Sequence, residues 1–273
     1  MKIQGVIFLF MLFIAMEGYS SGELHIAGAR AIAMGGSSVT IGDIWSLYNN
    51  PSGTAFLDGL TAGITFRNLY LVKEASNVQF GLALPMKAGS FGIIVSRFGS
   101  SDYNEIRAGL SFAKKFGKHF SAGVLLDYYR FNLQEHYGSK NLISFEVGML
   151  FRANRNISVG FHLVNPVPVK TLNQPEEWLP TIVRIGISYE FSAAFLVCLE
   201  AEKELSDRPV IRVGAEYRLA KCAFVRIGMA TTPMLFSFGF GLKLSGFILD
   251  FATDYHSVLG FSPVGTLIWS IKK

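Results

Sequence analysis

The sequence predicts an all-β chain, and within that class a transmembrane antiparallel β-barrel of about 14 strands with an N-terminal plug or hatch segment. Three observations predict it. First, the chain of 273 residues is 50% hydrophobic, yet it contains one long apolar run, at its start. No later stretch reaches the roughly 18 uncharged residues of a spanning helix, so the apolar content is spread in alternation. Second, a short pattern of apolar residue, Arg or Glu, apolar residue and Gly recurs. It stands at Ile106-Arg107-Ala108-Gly109, Phe145-Glu146-Val147-Gly148, Val183-Arg184-Ile185-Gly186, Ile211-Arg212-Val213-Gly214 and Val225-Arg226-Ile227-Gly228. Charge and glycine share one phase of a period of two and bulky apolar groups hold the other, which is a strand with one polar and one oily face. Third, the connections sort into a short set and a longer set, as periplasmic turns and outer loops do in a membrane barrel.

Residues 1–20 read as a secretory signal. Lys2 supplies the positive start, Val6 to Met16 an apolar core too short for a span, and Gly18 and Ser20 the small residues before a cut. The signal implies export, and with the barrel it implies a bacterial outer-membrane location with both termini in the periplasm. Residues 21–59 form the predicted plug. Gly28-Ala29-Arg30 and Met34-Gly35-Gly36 are rich in small residues, Asp43 to Tyr48 suits a short helix, and Asn49-Asn50-Pro51-Ser52-Gly53 breaks it.

Residues 60–273 form the predicted barrel, with strands near 60–69, 76–84, 90–98, 103–114, 118–132, 141–152, 156–164, 181–191, 194–204, 208–219, 222–230, 234–243, 246–255 and 261–271. The short set of connections includes Lys87-Ala88-Gly89, Phe116-Gly117-Lys118, Ala153-Asn154-Arg155 and Leu244-Ser245-Gly246; the longest outer loop is 165–180. On the oily phase, Phe112, Phe120, Phe151, Tyr189, Phe195, Tyr217, Phe247 and Trp269 fall at one predicted height, as an interfacial aromatic girdle does. On the polar phase, Arg107, Glu146, Arg184, Glu190, Glu200, Arg212, Glu216, Arg226, Lys243 and Asp250 point into the lumen, where opposite signs can pair as a structural scaffold.

Two stretches resemble FadL-like outer-membrane barrels, and specifically their PorV/PorQ branch. The first is the plug motif of Gly28, Arg30, Met34, Gly35, Gly36, Asn50, Pro51 and Gly53; the second runs from Leu179-Pro180 through Arg184 and Gly186 to Tyr189 and Phe191. The resemblance implies a non-enzymatic subunit or accessory of an envelope complex such as type IX secretion, with other envelope proteins and lipid as partners. The wider FadL-like family implies the alternative, a transporter of hydrophobic small molecules.

No residue constellation points to catalysis. His25, His119, His136, His162 and His256 fall in separate segments, none at metal-ligand spacing with another ligand type, so no metal and no cofactor is expected. Cys198 and Cys222 fall on non-neighbouring strands and read as free thiols. The net charge of +5 is scattered along the strands, which leaves no nucleic-acid footprint. The expected lumen, with about a dozen charges and no evident apolar tunnel, suits an oily ligand poorly.

Overall fold

The computed structural model describes residues 26–133, 139–173, 176–205 and 207–272. The signal segment, residues 21–25 of the plug, and His25 and His136 lie outside the described residues.

Fourteen strands close into one antiparallel barrel. In chain order the first seven are β1 (Gly59–Asn68), β2 (Ser76–Pro85), β3 (Ser90–Gly99), β4 (Tyr103–Phe116), β5 (Phe120–Leu133), β6 (Ser139–Arg152) and β7 (Ile157–Val164). A small hairpin of β8 (Val169–Asn173) and β9 (Glu176–Leu179) follows, outside the barrel sheet. The barrel resumes with β10 (Ile182–Ser192), β11 (Phe195–Glu204), β12 (Val210–Ala220), β13 (Ala223–Ala230), β14 (Leu235–Leu244), β15 (Phe247–His256) and β16 (Gly260–Lys272). Each barrel strand pairs with its sequence neighbours, β7 pairs with β10, and β1 pairs with β16 to close the ring.

The period-two pattern dictates which face is wet. Along β10, Ile182, Arg184, Gly186 and Ser188 are buried, whereas Ile185, Ile187 and Tyr189 are exposed. The same inversion runs round the barrel: Ile93, Val95, Leu110, Leu126, Ile143, Leu199, Ile227 and Phe238 all stand on the outside. An apolar wall of this extent is stable against lipid and not against water, and a closed barrel leaves no unpaired strand edge in the hydrocarbon.

Residues 26–58 run through the interior. They contain α1 (Ala29–Ala33), α2 (Ser46–Asn49) and a 3-10 turn at Pro51–Phe56. The helix expected over Asp43 to Tyr48 begins later and ends on Asn49, and the supposed breaker Asn50-Pro51 opens the 3-10 turn: the Asn50 side chain caps it by accepting from the Ser52 N–H. Loop 165–180 is likewise not structureless, since it holds the β8–β9 hairpin. Leu179 and Val169 of that hairpin pack on Tyr129, Phe131 and Leu142 at the long-loop end of the lumen.

Candidate functional site: the segment inside the barrel

Glycines on the inward phase set where the internal segment lies. Six strands, β5, β6, β7, β10, β12 and β13, place Gly123, Gly148, Gly160, Gly186, Gly214 and Gly228 directly against its backbone or side chains. A methyl group on Gly123 would stand 2.6 Å from the Ser52 nitrogen, and one on Gly214 2.5 Å from Met34 Cβ. Glycine is required there because the segment's backbone occupies the space of a side chain. In four of the five copies of the repeated pattern the Gly is thus a seat, at 148, 186, 214 and 228, whereas Gly109 packs on the wall residues Asp127, Leu125 and Ile94.

Arg184 and Glu200 form the central clamp. Arg184 Nε donates to Glu200 Oε1 at 2.7 Å, and its other nitrogens donate to the carbonyls of Asn49 (3.1 Å) and Gly36 (3.2 Å) and to the Ser38 hydroxyl (3.0 Å). Glu200 Oε2 accepts the backbone N–H groups of Ser38 and Val39, both at 2.8 Å. Cation meets carbonyls and anion meets N–H groups, so the barrel satisfies backbone that the segment cannot satisfy itself. Arg212 extends the cluster through Glu202 at 2.7 Å.

A second chain of charges runs from the segment into the wall. Arg30 grips Glu216 with two hydrogen bonds (2.8 and 2.7 Å), Glu216 accepts from Arg226 (2.6 Å), and Arg226 donates to Asp250 (2.6 Å). A third joins β4 to β7: Arg107 pairs with Asp127 at 2.8 Å and with Glu146, which contacts His162 Nε2 at 2.7 Å. The Arg107 guanidinium also lies over the rings of Tyr48 and Tyr129, at 5.5 and 5.4 Å.

Side chains of the segment lock the remaining sides. The Tyr48 hydroxyl sits 2.8 and 2.9 Å from the carbonyl oxygens of Phe80 and Val95, directly opposed residues of β2 and β3. Burial pushes the Tyr48 phenol well above its ordinary range, which keeps it a donor. The Asn50 amide donates to Val39 O (2.7 Å) and Met149 O (3.2 Å), and the Asn49 side chain exchanges two hydrogen bonds with Ala27.

The lumen wall of β1–β3 differs from the rest. Its described inward residues carry one charge, Arg67, which pairs with Asp254 at 2.8 Å at the long-loop end. Against this sector the segment turns Ile44, Trp45 and Leu47, packed with Ala83, Ile94, Leu125 and Ile268. The expected dozen lumen charges are therefore unevenly spread: apart from Arg67 this sector of the wall is uncharged, lined by Thr61, Thr65, Asn77, Gln79 and small residues, and the apolar groups that meet it belong to the segment.

All eight residues of the N-terminal motif lie inside the barrel. Gly28 opens α1 with φ of +87°; Met34 and Gly35 rest on β12 and β13; Gly36 gives its carbonyl to Arg184; Gly53 packs on Ser46. Of the ten expected lumen charges, Arg107, Glu146, Arg184, Glu200, Arg212, Glu216, Arg226 and Asp250 enter the ion-pair clusters. Glu190 and Lys243 do not: they share the inward phase but stand exposed at strand ends, because periodicity gives the face and not the height. Asp127, Asp254, Tyr48 and Asn49 are the residues that sequence reading missed. Asp127 was legible as the one charge on the inward phase of β5; the other roles depend on contacts far apart in the chain.

The eight aromatics expected at one height hold the outward phase, and six of them are cross-strand partners: Phe120 with Phe151, Phe195 with Tyr217, and Phe247 with Trp269. Phe112 faces Phe91, with ring centroids 4.9 Å apart. Tyr189 stacks edge-on against Phe191 at 4.6 Å. Cys198 is buried and Cys222 exposed, both free. No group of three or more metal-ligating side chains occurs among the described residues.

No family model and no curated protein matches the sequence. Solved structures do match its shape. The toluene transporter TbuX of Ralstonia pickettii superposes with a TM-score of 0.69 at 12% identity, covering 91% of this chain and 99% of that one. The toluene transporter TodX of Pseudomonas putida gives 0.67 at 12% identity, covering 92% and 100%. A FadL homologue of Pseudomonas aeruginosa gives 0.68 at 12% identity, covering 90% and 98%. At such identities the likeness is one of architecture, and the chain has the fold of the FadL-type outer-membrane barrels.

Proposed function

We propose that the protein is an outer-membrane transporter of small hydrophobic molecules, whose N-terminal segment is the hatch that closes the barrel at rest. The short turns and both chain termini face the periplasm in this reading. The uncharged sector carries it: on β1–β3 a wall of Thr, Asn, Gln, Ser and small residues faces the apolar Ile44, Trp45 and Leu47, and displacement of these side chains opens a path without ions for an oily ligand. The charged clusters lie beside that path and hold the hatch. The toluene transporters named above support the ligand class, because they share the fold.

The test is toluene accumulation by cells of a host without another uptake route. Wild type raises the accumulation rate, and Leu47→Arg, which puts a cation in the uncharged sector, returns it to background while the barrel still shows heat-modifiable gel migration. Background accumulation by folded wild type contradicts the reading.

A second reading rests on the density of buried ion pairs around the segment. A hatch held this firmly suits a barrel that never opens and serves as a partner in an envelope complex, as the PorV/PorQ resemblance implies. Nothing in the structural comparisons supports that branch. Purification from the native outer membrane separates the two: a stoichiometric secretion or assembly complex favours the partner, an isolated monomer the transporter.

A further inference from the structure

We propose that the short-turn mouth of the barrel docks an acidic segment of a periplasmic polypeptide on a ring of inward-pointing cations. Five strands that run toward this mouth, β4, β6, β10, β12 and β14, each carry a charged residue on the inward phase within their last three positions. These residues are Lys115, Arg152, Glu190, Arg218 and Lys243, four of them cations. The strands that return from the mouth carry uncharged residues at the facing positions: Ser121, Ser158, Leu196, Phe224 and Ile248. Charge at one height on five successive alternate strands is a ring open at β2, which ends on Pro85, and it flanks the point where the internal segment leaves the lumen. There the Phe56 ring lies 4.6 Å from Lys115 Nζ and 3.6 Å from the Arg152 guanidinium.

The ring is not consumed by the fold. Of the nearby carboxylates, Glu190 and Asp58 act on Arg152, and Asp43 pairs with Arg30 of the segment. Lys243 is exposed, and Arg218 is exposed over the face of Phe224 at 5.5 Å. The direction of the side chains selects the ligand. Inward residues overhang the aqueous mouth and cannot reach the headgroups of the surrounding bilayer, so a lipid surface does not fit. Arg218 and Lys243 stand two strand spacings apart, roughly 10 Å, which one small anion does not bridge. An extended polypeptide with several carboxylates does, and complementary charge of this kind speeds and orients docking. Such a partner at the exit of a hatch is placed to receive what the barrel releases; the docking itself rests on the ring and not on what crosses the membrane.

The test uses the full chain in zwitterionic micelles and a fluorescein-labelled peptide of ten glutamates, followed by anisotropy at low salt. Saturable binding is expected, weakened at least tenfold by Arg218→Glu with Lys243→Glu and at least threefold by the milder Arg218→Ala with Lys243→Ala. The same charge change on the adjoining turns, Lys118→Glu with Lys221→Glu, is expected to weaken it less than threefold. Heat-modifiable migration checks the fold of each variant. Absent binding, or equal losses from the ring and turn pairs, overturns the proposal; displacement of the peptide by micellar phosphatidylglycerol also overturns it, in favour of a lipid-headgroup surface. Orientation is tested apart: a membrane-impermeant maleimide reaches the exposed Cys222, on the short β12–β13 turn, only after the outer membrane is permeabilised.

Discussion

At the scale of single residues, the internal segment is held by one buried and fully partnered pair of charges. Arg184 and Glu200 are 0% and 1% exposed, and between them they satisfy five backbone or hydroxyl groups of the internal segment. Removing one member leaves the other charged in a dry site, a change that costs about 3–5 kcal/mol. Arg184→Ala is therefore expected to lower stability by about that amount in urea titrations of the folded barrel in micelles, read by tryptophan fluorescence. Arg184→Met with Glu200→Leu is expected to recover part of the loss, because neither charge is then stranded, though the segment's N–H groups at Ser38 and Val39 remain unmet. Equal losses in the single and double variants contradict the clamp.

At the scale of elements, the seats matter more than the clamps. Gly123 and Gly214 admit the segment because they have no side chain, so Gly214→Val, which drives a branched side chain into Met34, is expected to displace it. In planar bilayers the wild-type barrel is expected to give no stable conductance and the Gly214→Val barrel clear single-channel steps. The elements were also the most legible part of the sequence. Each of the fourteen strands lies within a few residues of its expected position, because period-two alternation is local and persists along every strand. The β8–β9 hairpin was hidden by Pro166, Pro168 and Pro180, which read as loop, and α1 by its five-residue length, too short for a helical period. Inside the site, the inward phase identified Arg184, Glu200 and Glu216 as lumen residues. It could not identify Asn49 as a counterpart of Arg184, since a hydrogen bond between residues 135 positions apart leaves no local pattern.

At the scale of the whole molecule, the barrel is a water-soluble sandwich turned inside out. Its core is a polar lumen filled by its own N-terminal segment, and its oily face is the outer wall. A charge on that wall is costly in proportion to depth, about 2–4 kcal/mol for Arg or Lys at the midplane. Ile187→Lys, midway along β10, is expected to lose stability on that order in lipid bilayers, whereas Lys at the exposed rim position Leu244 is expected to change it by less than about 1 kcal/mol. Equal effects at the two positions contradict the membrane depth assigned to them. The FadL-type architecture sets the frame, but the ring of glycine seats and the asymmetry of the lumen are properties of this chain's own residues.

The central claim is that the internal segment moves to let a hydrophobic molecule pass. Thr40 Oγ1 of the segment lies 3.9 Å from Cys198 Sγ of β11, so Thr40→Cys, in a background of Cys222→Ser, pairs a new thiol with Cys198 within reach of a disulfide. The deciding measurement is toluene accumulation by cells carrying this pair, oxidised and then reduced. The account predicts background accumulation while the segment is tethered to the wall and recovery of the untethered rate on reduction. An untethered rate in the fully oxidised protein contradicts it.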